Sequence, residues 1–384
     1  MRVAVIGLGG TGSAACRYLA KRGHTVVGYE QFRVGNDKGS SYGESRAIRY
    51  GYADSFYTHL MKLAYRCWDE LEAEANEELR VRCGSLFFGE EGNAFLRKTI
   101  QALDAEDIPY ELLHKVEVER RFPAIRLAEN ELACYQAEGG FLRATRCVLA
   151  NIRLAREYGA QIREHTSVQR LIMSREQPIV VTAHGEEAYD RVIVTAGPWI
   201  SKLFPELHLP LEVTRQQVVY LQIARHPERF LPGAFPVWID TDRLIYGFPQ
   251  DGRVEGVKLA DHHLGESVDP HSVNRVVDES YQLEMVAYAL KRFPDLCDHV
   301  TYSQVCLYTN TPNEDFILDS VPNSPAVWLV SGCSGHGFKF TALLGKLVAL
   351  LATDSAEIEP TLAAELRAIR RRFALKRFLK PFSE

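Results

Sequence analysis

The tightest constraint on the fold is the opening segment, from Met1 to Glu30. Arg2-Val3-Ala4-Val5-Ile6 is a short, β-branched apolar run that predicts a buried parallel strand. Gly7-Leu8-Gly9-Gly10-Thr11-Gly12 follows at once. Ser13 to Arg22 then predicts a helix with Ala14, Ala15, Tyr18 and Leu19 on its inner side, ended by Gly23. Thr25 to Tyr29 predicts a second strand, with Glu30 at its carboxyl end. Each glycine has a mechanical reason. Gly7 allows the tight turn, Gly9 lets the backbone approach a pyrophosphate, and Gly12 lets the helix close on the strand. The helix amino terminus offers free N–H groups and a partial positive charge to that pyrophosphate. Glu30 stands where a carboxylate accepts from a ribose hydroxyl, about 20 residues on. The unit implies an adenine dinucleotide, and by itself it does not choose between NAD and FAD.

After Glu30 the chain leaves this pattern twice. Arg33 to Glu44 is polar and glycine-rich, too polar for core. Ser45 to Tyr50 sets Arg46 and Arg49 at i and i+3, on one face if helical. Tyr57 to Leu79 predicts a long amphipathic helix, Ser85 to Phe88 a strand, and Asn93 to Ala105 another helix. The first domain resumes near Glu138. A helix is expected over Arg143 to Tyr158, and strands over Thr166–Met173, Ile179–Ala183 and the run ending in Val194-Thr195-Ala196-Gly197-Pro198-Trp199. Strands at Val213–Gln222, Val237–Asp240, Leu244–Phe248 and Val254–Ala260 predict a mostly antiparallel sheet, followed by a helix over Asn274–Arg292. Strands at Gln304–Thr309, Asp315–Asp319 and Val327–Val330 lead to a glycine-rich turn and a helix from Thr341 to Ala352. The expected organisation is therefore α/β: a Rossmann-like dinucleotide domain from 1–50, 135–210 and 301–384. Residues 51–134 and 211–300 build a discontinuous substrate domain on the antiparallel sheet.

At 384 residues, with 46% hydrophobic and 25% charged residues, the chain has core enough for such a pair. A net charge of −5 argues against nucleic acid as a partner. No apolar run reaches the roughly 18 residues of a membrane span. The first residues lack a secretory pattern, and the end, Pro381-Phe382-Ser383-Glu384, is no peroxisomal signal. The eight cysteines are scattered without a CxxC pair, which argues against a disulfide framework and a zinc site. A cytoplasmic enzyme with no metal is expected.

Six segments carry a resemblance: GSSYGESRAIR (39–49), VTAGPW (194–199), IYGFP (245–249), GVKLADHH (256–263), VCLYTNTPNEDFILD (305–319) and SGCSGHGFKF (331–340). Together they resemble the monomeric sarcosine oxidase and N-methyltryptophan oxidase family, within the D-amino-acid oxidase superfamily of FAD-dependent amine oxidases. The resemblance runs over nearly the whole chain and chooses FAD. It implies a flavin held covalently through Cys306, although an isolated strand cysteine is by itself more often structural. It implies that Arg49 and Lys339 grip a substrate carboxylate, where arginine suits a bidentate hold and lysine a point charge. It places Arg46 near the flavin ring, Tyr246 and Tyr308 along the substrate cavity, Lys258 over the flavin face with His262 nearby, and His336 close to both. Val257 and Leu259 flank Lys258 in alternation, which on its own would give a solvent-facing lysine. Flavin contacts are further implied at Gly10, Thr11, Gln31, Ser41, Val168, Ala196, Gly197, Trp199, Gly335, Gly337, Phe338 and Lys339. Cys333 and Asp261 depart from the family's aromatic residues at those places, which leaves the substrate open. The implied activity is oxidation of an N-methyl or cyclic secondary α-amino acid by a monomer, with dioxygen accepting the electrons. Transfer to another acceptor, or flavin binding without turnover, are the alternatives.

Overall fold

The computed structural model describes residues 1–354 and 360–379; the segment 381–384 lies outside them. Arg2–Ile6 and Thr25–Tyr29 pair in parallel, and the helix between them is Gly10–Lys21. That helix starts three residues before the expected Ser13. Its first turn is Gly-Thr-Gly, residue types of low helix propensity that read as loop in sequence. The strands extend into a six-stranded sheet in the order 317–321, 324–331, 191–194, 2–6, 25–29, 161–163. All neighbours are parallel except the first pair. Gly10–Lys21, Ala144–Glu157 and Thr341–Ala352 pack together on one face. A small antiparallel sheet of Val168–Ile172, Ile179–Thr182 and Gly185–Ala188 covers the other, through Leu171 and Val180.

The second sheet has eight strands, in the order 296–310, 212–223, 257–261, 245–247, 237–240, 85–90, 131–136, 111–114. It is antiparallel but for the contact of Val237–Asp240 with Ser85–Glu90. Helix Glu279–Arg292 packs on one face, where Val219, Leu221, Val257, Leu259 and Val305 are buried. Residues of opposite parity, among them Val218, Tyr220, Lys258 and Cys306, therefore point the other way, toward the first domain.

Three further particulars differ from the sequence reading. Arg46–Ile48 is a strand paired with Gly140–Leu142, not a helical turn, so Arg46 and Arg49 do not share a helical face. Helix Ser55–Ala75 lies in the segment expected in the substrate domain, yet it buries Leu60, Met61, Ala64, Trp68 and Leu71 in the core of the first, beside Thr341–Ala352. Leu296–Asn310 is one unbroken strand of the second sheet. Its middle is half-buried and polar, which hid its continuity and moved the expected boundary to 300.

Candidate active site

One cavity of about 880 Å³ reaches from the carboxyl ends of the parallel strands to the inner face of the second sheet. Ligands of open α/β sheets bind at such carboxyl ends. Its nucleotide half is built by the opening motif. Gly7, Gly9, Gly10 and Thr11 line it at the start of the first helix, whose N-cap Gly9 supplies no side-chain cap. The Gly10 N–H donates to Ser41 Oγ at 2.9 Å. Glu30 lines the same wall, its Oε2 accepting from the Leu8 N–H at 3.0 Å and its Oε1 from the Phe32 N–H at 3.1 Å. Burial pushes its carboxyl pKa up, against the pull of those N–H groups. Gln31, Val168, Ala196, Gly197 and Trp199 continue the lining. Gly12 does not reach the cavity. A Cβ there would stand 1.9 Å from the Gly7 carbonyl oxygen, so glycine is needed for the helix to close on the strand.

The cavity suits a long polar ligand. Among the described residues, Trp199 Nε1, Thr309 Oγ1 and Ser331 Oγ are buried without a hydrogen-bond partner, and all three residues line it. An FAD molecule, with a pyrophosphate for the helix terminus and a polar ring edge for the far end, fits these unmet groups.

The other half of the cavity is cationic. Lys258, read in isolation as solvent-facing, is 5% exposed because its face of the strand is the cavity wall. Its Nζ donates to the Ser45 carbonyl at 2.9 Å and lies 4.7 Å from the centre of the Phe248 ring. Burial, then repulsion from Arg46, pushes its pKa down to about 7. The Arg46 guanidinium donates to the Tyr42 carbonyl at 2.6 Å and the Ser45 carbonyl at 2.9 Å. Arg49 is sandwiched between the rings of Tyr52 and Phe87, at 4.7 and 4.8 Å, and donates to the Gly51 carbonyl. Lys339 donates to the Tyr52 hydroxyl at 3.0 Å and the His336 carbonyl at 2.8 Å. Among the described residues, no salt bridge engages any of these four cations. Burial lowers the pKa values of Arg49 and Lys339, and for Lys339 the nearby Arg49 lowers it further.

The remaining expected residues close around them. Tyr246 and Tyr308 stand hydroxyl to hydroxyl at 3.3 Å, with the His262 ring 5.7 Å from that of Tyr308. Burial and the charges of Lys339 and Arg49 push His262 down to about 4, so its imidazole is neutral. His336 is held at both nitrogens. Nε2 lies 3.0 Å from the Glu314 carbonyl and must donate to it, which leaves Nδ1 to accept from the Tyr52 hydroxyl at 3.1 Å. Gly335 lies so close to Tyr308 that a Cβ would stand 2.2 Å from its ring, and a Cβ on Gly337 would meet Cys333 at 2.6 Å. Phe338 and Cys306 also line the cavity, Cys306 opposite Gln216 on the neighbouring strand. Asp261 is not part of the lining.

Tyr52 escaped the sequence reading, although it joins Arg49, Lys339 and His336. The only available signal was its place in an aromatic run three residues after Arg49. Thr309 and Ser331 escaped too, being unremarkable strand-end hydroxyls.

Residues 2–351 match the model of the family described as "FAD dependent oxidoreductase". The chain is 31% identical over 364 residues to a monomeric sarcosine oxidase of Streptomyces avermitilis, covering 93% of this chain and 95% of the relative. It is 33% identical over 362 residues to a monomeric sarcosine oxidase of Bacillus sp. strain B-0618, covering 91% of each. It is 30% identical over 354 residues to N-methyl-L-tryptophan oxidase of Yersinia pestis, covering 91% of this chain and 94% of that one. Among solved structures, NikD, an unusual amino acid oxidase, superimposes with a TM-score of 0.81 at 23% identity over 94% of this chain and 95% of its own. A dinucleotide cradle, a cavity fitted to FAD and these matches agree: the chain belongs to the FAD-dependent oxidoreductase family.

Proposed function

We propose that the protein is an oxidase of N-methyl or cyclic secondary α-amino acids, carrying FAD linked through Cys306. The observation that carries this reading is the pair Arg49 and Lys339, a half-buried and a buried cation with no acidic partner among the described residues, at the aromatic end of a cavity that fits the flavin. Leaving such charges unpaired is unfavourable unless a ligand supplies the counter-charge. A substrate carboxylate does so. Arg49 and Lys339 then orient the substrate by that group, and Tyr246, Tyr308 and His262 enclose its apolar part. Their positive field also favours the uncharged form of the substrate amine, the form that has an electron pair to release. FAD, when bound, would supply the two-electron acceptor for the hydride equivalent, with dioxygen as the final oxidant yielding hydrogen peroxide and water hydrolysing the imine product. Lys258, in its protonated form, provides a positive charge in the cavity wall to stabilise the reduction of dioxygen.

The names of the curated relatives support the substrate class and a monomer. The eight unpaired cysteines suit a reducing, cytoplasmic setting. The test is peroxide formation by the purified protein with sarcosine, N-methyltryptophan, proline, pipecolate and a glycated amino acid. Turnover of at least one, with peroxide in stoichiometric yield, is expected. Turnover with an artificial electron acceptor but no peroxide would make it a dehydrogenase.

A further inference from the structure

The carboxylate of Asp251 plays no part in the reading above, yet it is 2% exposed and sits beside the cavity, in the loop between strands Ile245–Gly247 and Val257–Asp261. Among the described residues it enters no salt bridge. Its Oδ2 accepts from the Ser45 hydroxyl at 2.6 Å and the Tyr220 hydroxyl at 2.8 Å, and its Oδ1 accepts from the Arg253 N–H at 3.1 Å. Ser45 Oγ is also 3.2 Å from Lys258 Nζ. The serine has one hydroxyl proton, and Asp251 takes it. Its oxygen therefore offers only lone pairs to the lysine, which sets the direction of the chain. The ammonium donates to Ser45, and Ser45 donates to Asp251.

The strands enforce this arrangement. Tyr220 and Lys258 are direct partners in the antiparallel pairing, so their side chains leave the same face and converge on Ser45 and Asp251. The charged and titratable groups around Lys258 include Arg46, Asp251, the Cys306 thiol, Arg253 and its strand partner Tyr220, and Arg143 donates to the Asp251 backbone carbonyl at 3.4 Å. Asp251 supplies the carboxylate of that set. Arg46 and Arg253 oppose a protonated lysine, as does burial. An ammonium left among them without a counter-charge would give up its proton at a lower pH.

We propose that Asp251 is the positioning residue of Lys258: acting through Ser45, it anchors the ammonium in the cavity wall and keeps it charged. The pair itself follows from the geometry; its consequence for dioxygen rests on the role given to Lys258 above.

The test uses the flavin-loaded enzyme and the variant Asp251→Asn, which keeps an acceptor oxygen for Ser45 and Tyr220 and removes the charge. The first readout is a melting-temperature cycle of wild type, Asp251→Asn, Lys258→Met and the double variant at pH 6 and pH 9. The expected result is that Asp251→Asn lowers the melting temperature more when Lys258 is present than when it is not. That excess should shrink at pH 9, where the lysine loses its charge. Additive shifts at both pH values would overturn the proposal. The second readout is the pH dependence of reoxidation by dioxygen. Loss of a neighbouring opposite charge lowers a lysine pKa by about one unit or more. The fall in rate with rising pH should therefore begin about one unit lower in Asp251→Asn. It leaves the variant about tenfold slower on the alkaline side and equal to wild type on the acid side. A merely structural defect would slow the reaction equally at all pH values. If Lys258→Met reoxidises normally, the dioxygen role of Lys258 fails, while the melting cycle still decides whether Asp251 holds it.

Discussion

Truncation of Arg49 or Lys339 probes the proposed carboxylate clamp. Arg49 lies 4.7 and 4.8 Å from the ring centres of Tyr52 and Phe87 with one N–H spent on the Gly51 carbonyl, and Lys339 spends two donors on Tyr52 and His336. Each therefore keeps N–H groups free for a ligand. A hydrogen bond to a charged group is worth about 1.5–3 kcal/mol. Arg49→Ala or Lys339→Met should thus weaken binding of a simple carboxylate by roughly ten- to a hundredfold. The double variant should lose less than the product of the two. Removing Arg49 relieves the repulsion that lowers the pKa of Lys339, and leaves the lysine more fully charged. The assay is a titration of the flavin absorbance with acetate, with acetamide as the uncharged isostere. Wild type should prefer the acid strongly, and each variant should lose most of that preference. A pH dependence follows. The free-enzyme pKa of Lys339 lies well below its ordinary value, and a bound anion raises it again. Binding takes up a proton between those two values, so affinity is full below the depressed pKa and falls as pH rises through it. Undiminished acetate affinity in both single variants, or equal turnover of amines lacking a carboxylate, would refute the clamp.

Other outcomes are expected at neighbouring residues. Wild-type protein precipitated with acid should stay yellow, and Cys306→Ala should release its flavin into the supernatant; a colourless wild-type precipitate would rule out covalent attachment. Lys258→Met should slow reoxidation by dioxygen by orders of magnitude, about 3–5 kcal/mol in barrier. Its anaerobic reduction by substrate should change much less, and comparable losses in stopped-flow traces of both steps would make Lys258 structural. Tyr52→Phe removes the hydroxyl that accepts from Lys339 and donates to His336. It should raise the Michaelis constant about fivefold, near 1 kcal/mol, with kcat little changed; an unchanged Michaelis constant would show that the hydroxyl does not order the clamp.

The parts of the fold that were legible in sequence are those whose signal is local. The opening strand, turn, helix and strand declare themselves through apolar runs and glycine spacing, and they stand within three residues of the expected bounds. Membership of a core is not local. The amphipathic stripe of Ser55–Ala75 shows that the helix is half-buried, but not that its partner is Thr341–Ala352, nearly three hundred residues on. The same limit applies to the site. Lys258 alternates with Val257 and Leu259, and alternation says only that two faces differ; which one meets the cavity depends on where the first domain sits. Asp251 lies in a Gln-Asp-Gly turn, where an aspartate ordinarily means a loop. Only folding brings Ser45 and Tyr220, distant in sequence, onto its carboxylate.

The central claim, that this cavity oxidises a secondary α-amino acid by way of its flavin, is tested most directly by one anaerobic titration followed by air. Purified protein is mixed in the absence of oxygen with sarcosine, N-methyltryptophan or proline while the flavin absorbance is followed. The expected result is bleaching by at least one of the three, none by the corresponding amine without its carboxylate, and full recovery of colour on admitting air, with one hydrogen peroxide formed per flavin. A flavin that stays oxidised in the presence of every secondary amino acid supplied would contradict the claim.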